Sequence, residues 1–125
     1  MAVGPVAQIH ISVSDVDRSV AFYRDVLGVP FLFRVPGQPM AFFQSGDVRL
    51  YLGQPESPEY TTRVLVYFSV ADIDAEWTRL SQAGVAFVDK PHVVHRDDTY
   101  ELWMSVLRDP DGHHLALMQE RPPVG

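Results

Sequence analysis

Residues 7–13 alternate, with Ile9, Ile11 and Val13 on one side and Gln8, His10 and Ser12 on the other, the period of a strand buried on one face. Ser14 then stands as a candidate N-cap, acidic Asp15 and Asp17 follow, and Val16, Val20, Tyr23 and Leu27 recur at helical spacing up to Gly28. Three short apolar runs, 30–33, 40–44 and 48–52, are separated by turn residues such as Pro36-Gly37 and Ser45-Gly46-Asp47, and read as strands. The second half repeats the plan. Residues 64–70 alternate, Asp72 opens a helix carrying Ile73, Trp77 and Leu80, and Ala83-Gly84-Val85 closes it as Leu27-Gly28-Val29 closes the first. Strands are predicted at about 86–89, 100–107 and 114–118, the last preceded by the turn Asp109-Pro110-Asp111-Gly112. The pattern is an internal duplication: one α+β domain of two tandem βαβββ modules, about 6–53 and 62–120, with a Pro-containing linker at 54–61 and a loose tail at 121–125.

Composition narrows the setting. A chain of 125 residues can bury about two thirds of its unfolded surface, enough for a core without staples. Cysteine is absent, so disulfides, thiolate metal sites and a cysteine nucleophile are excluded and a reducing, cytoplasmic setting is expected. The start, MAVGPVAQIH, has no basic segment followed by an apolar one, and no run approaches the roughly 18 apolar residues of a membrane span. The formal charge is −6 and the arginines are scattered, which argues against nucleic acid as a partner. There is no G-x-S-x-G elbow, P-loop or dinucleotide fingerprint.

Three segments together resemble the vicinal oxygen chelate superfamily, which groups glyoxalases, bleomycin resistance proteins and extradiol dioxygenases: HISVSDVDRSVAFYRDVLGV (10–29), YFSVADIDAEWTRLSQAGV (67–85) and RDPDGHHLALMQE (108–120). The resemblance implies a strongly curved mixed sheet with helices outside and the polar strand faces lining a cup. By strand parity His10, Ser12, Arg49, Tyr51, Leu65, Tyr67, Ser69, His114, Ala116 and Met118 are expected to face that cup.

Enzymes of the superfamily hold one divalent ion on inward His, Glu or Gln residues of the first and last strands of each module. Carried onto this sequence, those positions are His10, Tyr51, Tyr67 and Ala116. Only His10 is an ordinary ligand: an alanine offers no donor, and a phenol of reference pKa about 10 binds well only after losing its proton. No cofactor is therefore expected, a relocated divalent metal being the less favoured case. His113 and His114, as strand neighbours, point to opposite faces and cannot share an ion; one is expected in solvent and the other in the cup. His92 and His95 are expected in a Pro-opened loop, as surface residues or part of a lid. In 100–107 the apolar residues Leu102, Met104 and Val106 are expected against the core, leaving Trp103 as a cup wall and Glu101 as a nearby carboxylate.

Two functions are implied. One is a binding protein similar to the bleomycin-resistance branch, holding a small molecule among His10, Ser12, Phe33, Phe42, Tyr51, Tyr67, Trp103 and His114. The alternative is an enzyme, a lyase, isomerase or dioxygenase, using a metal or acid-base chemistry by His10, His95 or Glu101 on a small carbonyl or aromatic substrate. Two-module chains of this kind resemble those that dimerise, so a homodimer is expected.

Overall fold

A computed structural model describes residues 2–124 and divides the chain into two compact units between Arg63 and Val64. The first contains β1 (Gln8–Ser12), α1 (Val16–Val20) with a π-helical continuation (Ala21–Leu27), β2 (Phe31–Arg34), β3 (Met40–Ser45), β4 (Val48–Gly53) and a 3₁₀ turn (Pro58–Tyr60). The second contains β5 (Leu65–Ser69), α2 (Ile73–Gln82), β6 (His92–Arg96), β7 (Glu101–Arg108) and β8 (His114–Arg121). The sheets are ordered β1-β4-β3-β2 and β5-β8-β7-β6. In each, the first and last strands run parallel and the other neighbours antiparallel. The fold is thus α+β, two tandem βαβββ modules, as the duplicated pattern predicts.

Equivalent residues start the two helices. Asp15 Oδ1 accepts from the Arg18 N–H and Asp72 Oδ1 from the Ala75 N–H, both at 3.1 Å. The first N-cap is therefore Asp15 and not Ser14, whose hydroxyl instead accepts from the Arg18 guanidinium. A carboxylate on the strand side of the turn reaches the free N–H groups that the shorter serine would have to meet one residue earlier. The first helix is not regular to Leu27 either: after Val20 it widens, and Gly28 N–H and Val29 N–H both return to the Tyr23 carbonyl, with Gly28 at φ 81°.

Three other expectations shift. Residues 86–89 form no strand, only the bridge between Phe87 and Leu107. Around that bridge Arg108 N–H donates to the Ala86 carbonyl and Val88 N–H to the Val106 carbonyl, and Asp89 ends the pairing with its side chain, its Oδ1 accepting from Val106 N–H and its carbonyl from the Ser105 hydroxyl, both at 2.8 Å. The segment expected as a loop, with His92 and His95, is strand β6, because Pro91 ends the irregular stretch and β-branched Val93 and Val94 suit a pleated edge. The last strand also continues past Met118, so that Arg121 pairs with Glu101 instead of belonging to a tail.

The core of the first unit lies between its sheet and α1. Ile11, Ala41, Phe43, Leu50 and Leu52 meet Val16, Val20 and Tyr23, all buried, with the Phe43 ring against Tyr23 and edge-on to Phe31. In the second unit Leu107, Leu115 and Leu117 are buried with Ile73 and Leu80 of α2. Each such side chain contributes about 1.5–3 kcal/mol of burial. One edge strand of each sheet carries a bulge, β2 at Leu32 between Phe31 and Phe33 and β6 at Val94 between Val93 and His95. Among the described residues no helix is long and apolar enough to cross a membrane.

Candidate functional site

Register sets one row of rings on the first sheet, on the face opposite α1. His10 pairs with Tyr51, Tyr51 with Phe42, and Phe42 with Phe33, so one residue from each strand falls in line. Ring centroids are 4.6 Å apart for His10–Tyr51, 5.1 Å for Tyr51–Phe42 and 4.9 Å for Phe42–Phe33, the last two stacked. The bulge places Phe33 there: strict alternation from Phe31 would turn it toward α1. Phe33 remains 46 % exposed, an apolar ring held by its neighbours but not covered by them.

His10 is fixed at both nitrogens. Nδ1 lies 3.2 Å from the Tyr51 carbonyl, which can only accept, so Nδ1 carries the proton and donates. Nε2, 3.0 Å from Ser12 Oγ, is then the acceptor of the serine hydroxyl. Ser12 Oγ also accepts from Thr62 N–H at 2.9 Å, while Ser12 N–H donates to Thr62 Oγ1 at 2.9 Å. This reciprocal pair ties the end of the linker to β1. Between linker and strands opens a cavity of about 460 Å³, walled by His10 and Tyr51 on one side and by Glu56, Glu59, Tyr60 and Thr62 on the other. The Tyr51 hydroxyl is buried and has no hydrogen-bond partner among the described residues. Burial, and secondarily the Glu56 charge, push its phenol above the ordinary tyrosine range, so it stays protonated.

Gly53 makes room for this arrangement. A Cβ there would stand 2.7 Å from the Pro39 carbonyl oxygen and 2.7 Å from Tyr51 Cε1. Sequence reasoning missed Gly53 and the linker residues. A glycine before a Pro-rich stretch looks like a turn, and the carboxylates of QPESPEYT look like solvated linker.

The other expected site residues belong to the second unit. Tyr67 pairs with Ala116, and Ala116 with Val106, so the matching row of the second unit holds one ring, itself 49 % exposed. His114 is half-buried beside Leu65, while His113, expected in solvent or cup, is buried with Nδ1 accepting from Val64 N–H. His95 is exposed, its Nε2 2.9 Å from Asp97, which also accepts from Thr99 and Tyr100 N–H.

Trp103 and Glu101 reverse their expected orientation. Both share the sheet face of Leu115, Leu117, Gln119 and Arg121, the face that meets α2, and Leu102, Met104 and Val106 take the opposite one. The reason is a polar ladder that outweighs apolarity: Gln119 Oε1 accepts from Ile73 N–H, Arg121 pairs with Asp74 at 2.7 Å and covers the Trp103 ring at 4.5 Å. Glu101, 2 % exposed, accepts from Trp103 Nε1 at 3.1 Å and pairs with Arg96 at 2.5 Å.

The Trp103 indole and then Arg96 hold the Glu101 carboxyl below the usual carboxylate range, against burial, which pushes it up. A lowered folded pKa contributes stability above the unfolded value, about 4.3, that is lost as pH falls through the folded one. The Tm difference between wild type and Glu101→Gln is therefore expected to be full at pH 7 and to shrink below about pH 4. A difference constant from pH 7 to pH 3 would contradict the ladder's ionic character.

The donor set does not fit a resident divalent ion at the positions the resemblance designates. His10 has both nitrogens engaged, Tyr51 is held protonated, and Ala116 has no donor. Among the described residues no three His, Asp or Glu side chains gather where they could hold a metal.

Comparison with known proteins identifies the family. The model of the Glyoxalase/Bleomycin resistance protein/Dioxygenase superfamily matches residues 5–117. YraH, an uncharacterised protein of Bacillus subtilis, is 30 % identical over 86 % of this chain and 91 % of its own. The metallothiol transferase FosB of Staphylococcus epidermidis is 28 % identical over 87 % of this chain and 78 % of its own. TnmS3, an antibiotic binding protein from Streptomyces sp. CB03234, superposes with a TM-score of 0.76 at 26 % identity, covering 96 % of this chain and 98 % of its own.

Proposed function

The chain belongs to the glyoxalase, bleomycin resistance protein and dioxygenase superfamily, and on that premise we propose that it binds a small planar molecule against the ring row of its first unit, without a resident metal. The observation that carries this reading is the unbroken line His10, Tyr51, Phe42 and Phe33 beside a cavity of about 460 Å³, a size suited to a drug-sized ligand. The similarity to an antibiotic binding protein supports it. The reading extends to a cytoplasmic homodimer. A reducing compartment suits a chain without cysteine, and Leu65, Tyr67 and Phe33, each about half exposed, supply apolar surface for association.

The test is a thermal-shift screen of neutral planar aromatic compounds against wild type and Phe42→Ala, preceded by elemental analysis of untagged protein. A hit at a hundred times its Kd is expected to stabilise the wild type by about 2.7 kcal/mol. Phe42→Ala, altered on the half-exposed face, is expected to keep its Tm and lose the response. Light scattering on the same samples is expected to give about twice 14.1 kDa. Near-stoichiometric metal, or stabilisation by nickel, zinc, manganese or iron(II) that disappears in His10→Ala, would sink the reading. It would put first an enzyme of the kind suggested by the FosB likeness.

A further inference from the structure

The cavity beside the ring row is asymmetric in chemistry. Its strand wall is aromatic, the rings of His10 and Tyr51. Its linker wall carries two exposed carboxylates, Glu56 and Glu59, beside the ring of Tyr60. No lysine or arginine lines it. The linker is held in place by the Ser12–Thr62 pair at one end, and the turn Pro58–Tyr60 sets Glu59 and Tyr60 next to one another.

A third observation is independent of charge. The Tyr51 hydroxyl is buried and has no hydrogen-bond partner among the described residues. An orphaned buried hydroxyl costs about 1–3 kcal/mol. Its raised pKa keeps the hydroxyl protonated, since burial and Glu56 both oppose the phenolate.

We propose that the cavity selects a planar aromatic amine in its protonated form, the cationic nitrogen directed at Glu56 and Glu59 and the ring against Tyr51 and His10. This rests on the binding reading above and adds the charge of the ligand to it. Carboxylates and the faces of tyrosine rings attract a cation together, and an anion of the same shape meets repulsion from both.

Calorimetry with two probes of one ring system decides it: 9-aminoacridine, a cation at pH 7, and acridine-9-carboxylate, an anion. The wild type is expected to bind the cation at least roughly tenfold more tightly, a difference of about 1.4 kcal/mol that narrows at high salt. The double variant Glu56→Gln, Glu59→Gln, changed only at exposed positions, is expected to fold normally and erase that preference. Equal binding of the two probes, tighter binding of the anion, an unchanged preference in the double variant, or no binding of either probe would each overturn the proposal. Should neutral planar compounds still bind through Phe42 in that event, the general binding function stands and only the charge selectivity falls.

Discussion

Replacing Phe43 by alanine is expected to cost about 3–5 kcal/mol and to lower the Tm by roughly 10–20 °C. Phe43 is fully buried and bridges the two sides of the first unit, its ring against Tyr23 of the π-helical segment and Phe31 of the edge strand. No neighbour can fill the space, because the sheet residues around it, Leu50 and Ala41, are fixed by ladder hydrogen bonds. Phe42, one residue earlier, points to the other face. Chemical denaturation of the two alanine variants side by side therefore separates what holds the fold from what presents the ring row. A loss below about 1 kcal/mol for Phe43→Ala would show that α1 does not pack as described.

Gly53→Ala is expected to do both kinds of damage at once. The added methyl meets the Pro39 carbonyl and the Tyr51 ring, each at 2.7 Å, and Met40 Cα at 3.2 Å, so backbone and ring must both move. Overpacking of this sort costs about 1–3 kcal/mol. Moving the Tyr51 ring should also weaken a bound planar ligand by roughly tenfold, about 1.4 kcal/mol. Gly4→Ala, where a Cβ meets nothing within 4 Å, is the control and should change neither quantity. If Gly53→Ala melts and binds as the wild type does, the ring row does not depend on that glycine.

The sequence was most legible where one periodicity ruled a whole segment. Ile11 and Val13 are buried and His10 shares a row with Tyr51, as alternation predicted, and Asp72 marked the second helix start, while the first begins at Asp15, one residue after the expected Ser14. It was least legible where a side chain or a bulge replaces regular pairing. Asp89 ends a pairing through its carboxylate, which no period records. Phe33 reaches the ring row only because Leu32 is stepped over. Trp103 was misplaced because apolarity suggested the Leu102 face for the core, whereas the hydrogen-bonded carboxylate and the guanidinium on its ring determine its side. The linker's part in the cavity depends on one hydroxyl pair, Ser12 with Thr62, fifty residues apart in the chain.

The matched bulges at Leu32 and Val94 have a bearing on how such a molecule changes over generations. Both lie in edge strands, so one strand flank has no partner to be thrown out of register by an added or deleted residue. Deleting the stepped-over residue would restore plain alternation in that strand while leaving the interior strands in register. Insertions and deletions at these two places therefore re-aim a whole edge without touching the buried leucines or the parallel strand pairs. A change of length there re-aims Phe33 at the end of the ring row, a route less costly than rebuilding the interior.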